Sequence, residues 1–442
     1  MMKPIAVVAG DDGGPIFKKF RSALGEHLLV VPHSRIFDLT DELAMACEPS
    51  AGRPSALLAA LGGTCDGEPP LDCVVQPPPQ NISLNVSSSC NLACSYCYAT
   101  RGSFDGAQLA PMSWEVARAA VEQLLRDADP VAPITIGFLG GEPFANRNLL
   151  HRVVHYAVAE SEARRLDVRF SVTTNGTLLR QEDVELLRSH RFAVTVSIDG
   201  GSQVQDRQRP LGTKHSSHAL LRQATASLLA DPGLAIIGAR ATVTAFDLNL
   251  RQRFEDILSL GFPEAGFAPL RAAGDTAGAF QDDQWPEYLD ALVETAKPEL
   301  ARARRGESIR LTNFAVALRQ LYRGASLPYP CGAGGGYFSV AADGNWYACH
   351  RAIGSSEYRV GNNQGLEVEL RRKFLETRHV HSQPACRRCW ARYLCSGGCH
   401  QEASNRTESS CDFIRGWLEF CLTSYCELIE WRPEFFDAGP TR

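Results

Sequence analysis

The sequence lacks a basic stripe and a long apolar run, and these absences exclude two classes of partner. Its formal net charge is only −5 over 442 residues, without the dense Lys and Arg clusters of a nucleic-acid binder. The sequence has no run of about 18 apolar residues, the length needed to cross a membrane. The N-terminal stretch MMKPIAVVAGDDGG places acidic residues and glycines after a short apolar run, which does not fit a signal peptide. The sequence therefore predicts a cytoplasmic protein that binds neither nucleic acid nor a membrane.

Cysteine is absent from a long middle part of the chain, between Cys97 and Cys331. The whole chain has fifteen cysteines, and nine of them lie in the last 112 residues. Reducing compartments keep thiols free, so we do not expect disulfides. Two cysteine-rich patches around a cysteine-free body predict two metal-bearing regions. Cys47, Cys65 and Cys73 lack ligand-like spacing and are expected to be ordinary packed or free thiols.

From residue 81 onward, segments with strand and helix patterns alternate. Strand-like NISLNV and PITIGFLG flank helical SWEVARAAVEQLLRDA, and the series continues to AGFAPL with six strands and five helices. This alternation predicts an α/β fold with a parallel sheet or a partial (β/α)6 TIM-like barrel. In such folds functional groups gather at the C-terminal ends of the strands.

We predict four regions along the chain. Residues 1–80 form a small N-terminal domain, with one or two strands, a helix that begins at Thr40–Asp41, and CVVQPPPQ as a linker. Residues 81–274 form the partial barrel, and residues 275–328 form a helical bridge. In residues 329–442 the periodicity gives way to glycines, aromatics and cysteines, which predicts a domain organised by metal.

The stretch SSSCNLACSYCYAT brings three cysteines together directly after the first strand of the barrel. These are Cys90, Cys94 and Cys97, and no further Cys or His lies within fifteen residues on either side. A structural zinc site needs four ligands. A [4Fe–4S] cluster held by three thiolates instead leaves one iron with an open position, where a substrate or cofactor can bind.

The C-x3-C-x2-C spacing resembles the radical S-adenosyl-L-methionine (SAM) superfamily, with Tyr96 before the last cysteine and Tyr98 after it. The resemblance implies that Cys90, Cys94 and Cys97 hold a [4Fe–4S] cluster and that the two tyrosines lie at the cofactor site. It also implies that SAM chelates the unique iron through its amino and carboxylate groups. Electron transfer then cleaves SAM to a 5'-deoxyadenosyl radical.

The end of the second strand fits the same resemblance. FLGGEP places Gly140, Gly141 and Glu142 there. Glycine lets a backbone approach a ligand closely, and a carboxylate accepts hydrogen bonds from an ammonium group. The resemblance implies that this motif holds the methionyl amine of SAM.

Polar residues also occur at or near the ends of the next three strands. A charge such as Arg240 in the apolar strand GARATVT would be costly if buried alone, so it needs a carboxylate partner. The resemblance makes that partner the carboxylate of SAM, and a structural salt bridge is the alternative. The third and fourth strands end in SVTTNG and VSIDG, whose polar groups resemble ribose-contacting positions, with turn capping as the alternative. These residues are Ser171, Thr174, Asn175, Ser197 and Asp199.

Seven cysteines in the last region resemble the SPASM domain, which binds two auxiliary [4Fe–4S] clusters. The resemblance assigns four ligands to one cluster and three to the other, and a zinc ribbon is the alternative. The first set is Cys386, Cys389, Cys395 and Cys411, and the second is Cys331, Cys349 and Cys399. Either an outlying residue completes the second set, or the site is open to a substrate thiolate. Cys421 and Cys426 share a helical face and are expected in the core.

His350 follows Cys349 at the place where some relatives carry an acid–base carboxylate. Its near-neutral intrinsic pKa suits proton removal, so we predict it as the acid–base residue.

The resemblance implies a peptide maturase that acts on a ribosomally made peptide or small protein subunit. Its electron donor would be a flavodoxin or ferredoxin. The flanking YATRGSFDG and ITIGFLGGEPF look closest to the maturase of quinohaemoprotein amine dehydrogenase, which predicts thioether cross-links from cysteine sulfur to carbon. Carbon–carbon cross-linking, or oxidation of Ser or Cys to formylglycine, is the alternative. A non-catalytic cluster or zinc scaffold is the rival of another class. Residues 27–47 are predicted to help recognise the peptide by strand addition.

Overall fold

The computed structural model describes residues 14–46, 74–102, 110–213, 215–271 and 276–437. By compactness the chain divides into two units, each made of separate stretches. The first unit comprises Met1–Val74, Asp282–Cys331 and Glu376–Arg442, and the second comprises Val75–Gln281 and Gly332–Leu375. The four domain ranges expected from the sequence remain a prediction. Three cysteines for which we expected no metal role lie outside the described residues, namely Cys47, Cys65 and Cys73.

The strands of the described residues run from the N-terminal region to the middle of the cysteine-rich region. They are β1 (Phe17–Ser22), β2 (Gly25–Val30), β3 (Arg35–Asp38), β4 (Asn81–Ser87), β5 (Ile134–Gly140), β6 (Val168–Thr174), β7 (Phe192–Ser197), β8 (Ile236–Val243), β9 (Ala265–Pro269), β10 (Tyr337–Val340), β11 (Trp346–Tyr347), β12 (Arg359–Asn362) and β13 (Gly365–Leu366).

The helices of the described residues fall into longer α-helices and short turns. The α-helices are Asp41–Ala46, Trp114–Asp127, Arg147–Arg164, Gln181–Ser189, Ser202–Gln208, Ser217–Ala230, Leu250–Ser259, Trp285–Arg304, Thr312–Arg323, Val368–Arg378, Pro384–Arg387, Arg392–Cys395, Glu408–Trp431 and Glu434–Asp437. The short 3-10 helices are Val31–His33, Thr100–Gly102, Pro143–Asn146, Asp282–Gln284, His350–Ala352, Ser356–Tyr358, Val380–Ser382 and His400–Asn405. None of the described helices is both long and apolar enough to cross a membrane.

The second unit is built on one sheet in which β4 to β9 lie in chain order and pair in parallel. Helices connect these strands, as expected for right-handed βαβ units. The predicted α/β fold with six parallel strands is therefore confirmed. The sheet continues beyond β4, because β10 pairs with β4 in parallel and β11 to β13 follow as antiparallel neighbours. The sequence patterns gave no indication of this extension.

Alternation along the strands divides this sheet into an apolar face and a polar face. On the apolar face Phe138, Phe170 and Phe192 stack, with ring centroids 5.1 to 6.4 Å apart. The neighbouring strand residues Ser171 and Ser197 lie on the opposite face, since successive side chains alternate. All six parallel strands end at the same edge, so their C-terminal residues meet there.

The first unit combines the N-terminal strands with helices from later in the chain. β1, β2 and β3 form an antiparallel sheet, and the helix Glu408–Trp431 packs against β1 and against the helices Trp285–Arg304 and Thr312–Arg323. Those two helices match the predicted helical character of residues 275–328. Cys421 and Cys426 of the long helix are buried, as expected for core residues.

Candidate active site

The cysteine loop follows β4, and its thiols are held by N–H donors. The Leu92 N–H donates to Cys90 Sγ at 3.4 Å, and the Arg101 N–H donates to Cys97 Sγ at 3.4 Å. Such hydrogen bonds stabilise thiolate ligands and help to set the potential of a cluster. These two N–H donors therefore fix the positions of the Cys90 and Cys97 sulfur atoms.

The Gly140–Glu142 turn is pressed against the cysteine loop. The Gly141 N–H donates to the Ser87 carbonyl at 2.8 Å, and the Glu142 N–H donates to the Ser89 carbonyl at 2.9 Å. A Cβ on Gly140 would lie 2.4 Å from the Ser87 oxygen, and one on Gly141 would lie 2.3 Å from the Ser89 oxygen. The close approach that requires these glycines is thus to the cysteine loop. Their contact with SAM stays a prediction.

The Glu142 carboxylate is fully buried and already occupied by protein donors. Its oxygens accept from the Phe144 N–H at 3.1 Å, the Thr174 hydroxyl at 2.7 Å and the Asn175 N–H at 2.7 Å. Burial raises the pKa of Glu142 to about 6 against these donors, which lower it. The side chain ties the end of β5 to the end of β6. Binding of the methionyl amine by this motif stays a prediction.

Asn175 also reaches the cysteine loop. Its side-chain amide donates to Cys90 Sγ at 3.6 Å and to Asn91 Oδ1 at 3.0 Å. Its own oxygen accepts from the Thr177 N–H at 2.9 Å. The side chain therefore supports a predicted cluster ligand as well as the turn. A ribose contact by Asn175 or Thr174 remains untested.

Asp199 is the centre of a buried polar cluster that the sequence patterns did not predict. The Tyr96 hydroxyl donates to one carboxylate oxygen, and the Thr242 N–H donates to the other at 2.9 Å. Arg209 Nε lies 3.2 Å from Asp199 Oδ2. Burial raises the pKa of Tyr96 well above its usual range, so its hydroxyl keeps the proton that it donates. The two residues predicted to bind cofactor, Tyr96 and Asp199, thus bond to each other.

Two buried arginines, Arg209 and Arg253, were not predicted from the sequence. Arg253 is 2% exposed, and it donates to the Asp199 carbonyl at 2.6 Å and to the Thr242 carbonyl at 2.8 Å. It therefore fastens the ends of β7 and β8. A signal for Arg253 existed, because it stands three residues after buried Leu250 on an amphipathic helix. Arg209 has no such periodic signal.

Three predicted residues remain on the open polar face of the sheet, and they are Ser171, Ser197 and Arg240. Arg240 pairs in register with Ser197, and its side chain is exposed. Arg240 is therefore not a buried lone charge, because alternation along β8 turns it away from the buried residues Ala239 and Ala241, and its carboxylate partner stays a prediction. On this face the three side chains are placed to meet a ligand. Their contacts with SAM stay a prediction.

His350 lies among aromatic residues next to the cysteine motif. Its ring centroid is 6.0 Å from that of Tyr98, and its Nδ1 lies 2.8 Å from the Tyr337 hydroxyl. Burial lowers the pKa of His350 to about 4, with Arg351 adding to the effect. The ring is therefore neutral at pH 7, with Nδ1 hydrogen-bonded to the Tyr337 hydroxyl. Its acid–base role stays a prediction.

The three thiols of the loop fit a cluster with three protein ligands. Burial raises the pKa of Cys90 and raises that of Cys94 to about 11, so both keep their protons until metal displaces them. Each is near enough to Cys97 for the charges to interact. Within the described part of the chain, no three Cys, His, Asp or Glu residues are grouped to hold a single metal ion. Soft thiolates alone are the donor set that iron–sulfur clusters use.

The predicted four-cysteine site is assembled within the first unit. All four cysteines line one cavity of about 610 Å³. Arg406 enters the same cavity and donates to Cys386 Sγ at 3.0 Å. Burial raises the pKa of Cys395 to about 11, and the other three cysteines add to this effect. The cavity and its thiols fit an auxiliary cluster held by Cys386, Cys389, Cys395 and Cys411.

The predicted three-cysteine set is divided between the units. Cys331 and Cys399 belong to the first unit, and Cys349 belongs to the second. In the second unit the Arg351 N–H donates to Cys349 Sγ at 3.4 Å. Their shared role as ligands stays a prediction.

The amino-acid sequence matches one family model over the cysteine loop and the strand ends around it. Residues 84–225 match the model of the Radical SAM superfamily. The chain contains a radical SAM domain. The domain begins in β4 and includes the cysteine loop, the Gly140–Glu142 turn and Asp199, and the superfamily binds SAM and a [4Fe–4S] cluster. The predicted cofactors of this site and the assignment as an enzyme are thus confirmed, and the C-terminal cysteines are consistent with auxiliary clusters.

Two curated relatives extend the likeness beyond the radical SAM domain. The cysteine-type anaerobic sulfatase-maturating enzyme of Clostridium perfringens is 23% identical over 381 residues, which cover 82% of this chain and 96% of the relative. The serine-type anaerobic sulfatase-maturating enzyme of Klebsiella aerogenes is 24% identical over 342 residues, covering 73% and 80% respectively.

Two solved structures share the fold. Native anSMEcpe with bound AdoMet and Cp18Cys peptide superposes with a TM-score of 0.67 at 18% identity, covering 80% of this chain and 99% of that one. Streptococcus suis SuiB bound to precursor peptide SuiA gives a TM-score of 0.52 at 11% identity, covering 89% and 97%. These two structures confirm the predicted fold around the radical SAM domain.

Proposed function

We propose that this chain is a radical SAM enzyme that modifies a ribosomally made peptide or small protein by forming thioether bonds from cysteine sulfur to carbon. The observation that best supports radical chemistry is that the cysteine loop is hydrogen-bonded to the Gly140–Glu142 turn at the C-terminal edge of the parallel sheet. When bound, SAM and the cluster supply a 5'-deoxyadenosyl radical that removes hydrogen from an unactivated carbon. The relatives that act in sulfatase maturation, and SuiB with its precursor peptide, support a peptide substrate.

The protein's own groups divide the work around that radical. Asn175 and the Leu92 N–H hold Cys90, while Ser171, Ser197 and Arg240 face the open side of the sheet, where the cofactor's polar groups would bind. In this proposal His350, which lies beside Tyr98, would accept a proton from the substrate. Forming the thioether breaks one C–H and one S–H bond and makes one C–S bond. With SAM and the clusters bound, the hydrogen atom would be taken up by 5'-deoxyadenosine, the proton by a base such as His350, and the second electron by an auxiliary cluster.

The thioether is preferred because the three-cysteine set Cys331, Cys349 and Cys399 is one thiolate short of four ligands in the sequence. A substrate cysteine could supply the missing thiolate and would then be held where a bond to sulfur can form. The proposal includes a flavodoxin or ferredoxin as electron donor and a cytoplasmic location.

Oxidation of a peptide Cys or Ser to formylglycine is the second candidate. The two sulfatase-maturating relatives favour it. The two reactions leave different products, so one experiment separates them.

The first part of that experiment tests the radical chemistry. The anaerobically purified chain is incubated with SAM and a strong reductant, and 5'-deoxyadenosine is measured. We expect release by the wild type and none by Cys94→Ala, because the variant lacks a ligand of the SAM-binding cluster. Cys421→Ala is the matched control, since Cys421 is buried in the helix Glu408–Trp431, and it should retain release. Release by Cys94→Ala would refute the ligand assignment.

The second part identifies the bond. A peptide encoded beside the gene is co-expressed with the chain and analysed by mass spectrometry. A thioether removes two hydrogens per bond, keeps the sulfur and prevents alkylation of that cysteine. Formylglycine made from Cys instead replaces sulfur by a carbonyl oxygen, formylglycine made from Ser loses two hydrogens, and both react with aldehyde probes. A product that has lost two hydrogens, keeps its cysteine alkylatable and does not react with aldehyde probes would contradict both candidates and indicate a carbon–carbon bond.

A further inference from the structure

A buried cation stands directly beside the cysteine loop. Arg209 is 9% exposed, and its Nη1 lies 3.9 Å from Cys94 Sγ, within hydrogen-bonding distance for sulfur. The carbon of its guanidinium group lies 5.3 Å from the centre of the Tyr96 ring. The cation is thus confined between one thiol and one aromatic face.

The position of Arg209 is fixed by the residues on either side of it. The Gln208 carbonyl accepts from the Ser95 N–H at 3.2 Å, and the Pro210 carbonyl accepts from the Ala93 N–H at 2.8 Å. These two bonds fasten the main chain around Arg209 to the main chain around Cys94. The main chain of Arg209 is therefore held beside the loop, and the guanidinium itself is held by Asp199 and the Tyr96 ring.

Asp199 compensates the charge of Arg209 and also directs it. A lone buried cation would be costly, and the carboxylate 3.2 Å from Arg209 Nε offsets that cost. The carboxylate also accepts from the Tyr96 hydroxyl and the Thr242 N–H, while Arg209 Nη1 is the end of the pair within hydrogen-bonding distance of Cys94 Sγ. The ion pair thus presents its positive end to the sulfur.

We propose that Arg209 raises the reduction potential of the cluster held by Cys90, Cys94 and Cys97. Reduction adds one electron, and a fixed positive charge beside a ligand sulfur stabilises the added negative charge. The electron comes from a low-potential one-electron donor, and no bond to Arg209 forms or breaks. Arg209 is thus a positioning residue for electron transfer to the cofactor. The proposal rests on the assignment of the three cysteines as ligands and is independent of which bond the enzyme makes.

The test is an EPR-monitored redox titration of the purified enzyme with its clusters. The signal that changes on addition of SAM identifies the cluster in question. In Arg209→Met, the ratio of reduced to oxidised cluster at a fixed potential should fall about tenfold, equivalent to about 59 mV for a one-electron couple. Arg209→Lys keeps a charge and should recover most of the ratio. Arg207→Met is the matched control, because Arg207 is exposed on the adjoining helix, and it should leave the ratio unchanged.

An unchanged ratio in Arg209→Met with full iron content would overturn the proposal. Loss of the cluster from both the Met and the Lys variants would also overturn it, because Arg209 would then serve only to hold the loop. A SAM-sensitive EPR signal that survives in Cys94→Ala would instead refute the ligand assignment, an outcome that the other measurements do not produce.

Discussion

Buried carboxylates at the edge of the sheet act as acceptors for protein donors. Glu142 and Asp199 are both fully buried, and each accepts from main-chain and side-chain groups of neighbouring strand ends. An unsatisfied buried donor costs about 1–3 kcal/mol. At the scale of single residues, these carboxylates hold the site in shape before any ligand binds.

Glu142→Gln is expected to lower the free energy of unfolding by about 1–3 kcal/mol. The new amide would direct an N–H₂ group at the Asn175 N–H, which now donates to the carboxylate at 2.7 Å. Urea unfolding at neutral pH measures the change. Glu255→Gln is the control, because Glu255 pairs with Arg251 at the surface, and it should change stability by less than about 0.5 kcal/mol.

The pH dependence of that difference checks the cause. Burial raises the pKa of Glu142 to about 6 from 4.5, so the folded chain binds this proton more tightly than the unfolded chain. The contribution to stability is complete below the unfolded pKa and is lost as the pH rises through about 6. The advantage of the wild type over Glu142→Gln should therefore shrink by about 2 kcal/mol between pH 4 and pH 7. A difference independent of pH would mean that Glu142 does not titrate in this range.

Two segments of the chain hold the cysteine loop by main-chain hydrogen bonds, one at each end of the loop. The Gly140–Glu142 turn bonds to Ser87 and Ser89, and residues 208–210 bond to Ala93 and Ser95. Neither segment lies near the loop in sequence. At the scale of elements, the loop is shaped by the turn at the end of β5 and by the segment 208–210, which comes after β7 in the chain.

Gly140→Ala is expected to displace the cysteine loop and abolish 5'-deoxyadenosine release. Gly140 has φ +142°, and an added Cβ would meet the Ser87 oxygen at 2.4 Å. Iron content and 5'-deoxyadenosine are the measurements. Gly25→Ala is a matched control, because Gly25 has the same φ of +142° with nothing within 4 Å of an added Cβ. It should show only backbone strain of about 1–3 kcal/mol and normal release. Normal release by both variants would show that the close approach is dispensable.

At the scale of the whole molecule, distant parts of the chain build the first unit together. The Pro15 carbonyl, just before β1, accepts from Arg392 Nη1 at 2.8 Å, and Arg392 stands between Cys389 and Cys395 in sequence. Lys18 of β1 pairs with Glu419 of the long C-terminal helix at 2.5 Å. The N-terminal strands therefore support the region that carries the four-cysteine cavity. A role in peptide recognition for residues 27–47 stays a prediction, and part of that range lies outside the described residues.

Leu28→Ala is expected to destabilise this unit by about 2–5 kcal/mol. Leu28 is 0% exposed and packs with Phe17 and Val30, so the truncation leaves a cavity. The thermal unfolding midpoint should fall, and iron should be lost at a lower temperature than in the wild type. Leu24→Ala at the hairpin tip, where Leu24 is 41% exposed, should leave both nearly unchanged. Equal effects of the two variants would contradict the packing described for β2.

The sequence alone determined the local elements and the chemistry of the thiols. Period-two and helical patterns predicted the six parallel strands and their helices, because each pattern depends on residues close together in the chain. The spacing of Cys90, Cys94 and Cys97, with no fourth ligand nearby, predicted a cluster with an open iron for the same reason. The C-terminal spacing likewise predicted the four thiols that line one cavity.

Only the tertiary structure decided how those elements pair and which side chains contact each other. The pairing of β10 with β4 joins Ser339 to Ser83, residues separated by most of the barrel, and no local pattern encodes it. The carboxylates of Glu142 and Asp199 accept hydrogen bonds from protein donors that lie far away in sequence. Arg209 reaches Cys94 only because the main chains on either side pair. Burial and long-range contacts depend on which distant segments pack together. They are therefore seen in the folded molecule and are not indicated by local sequence patterns.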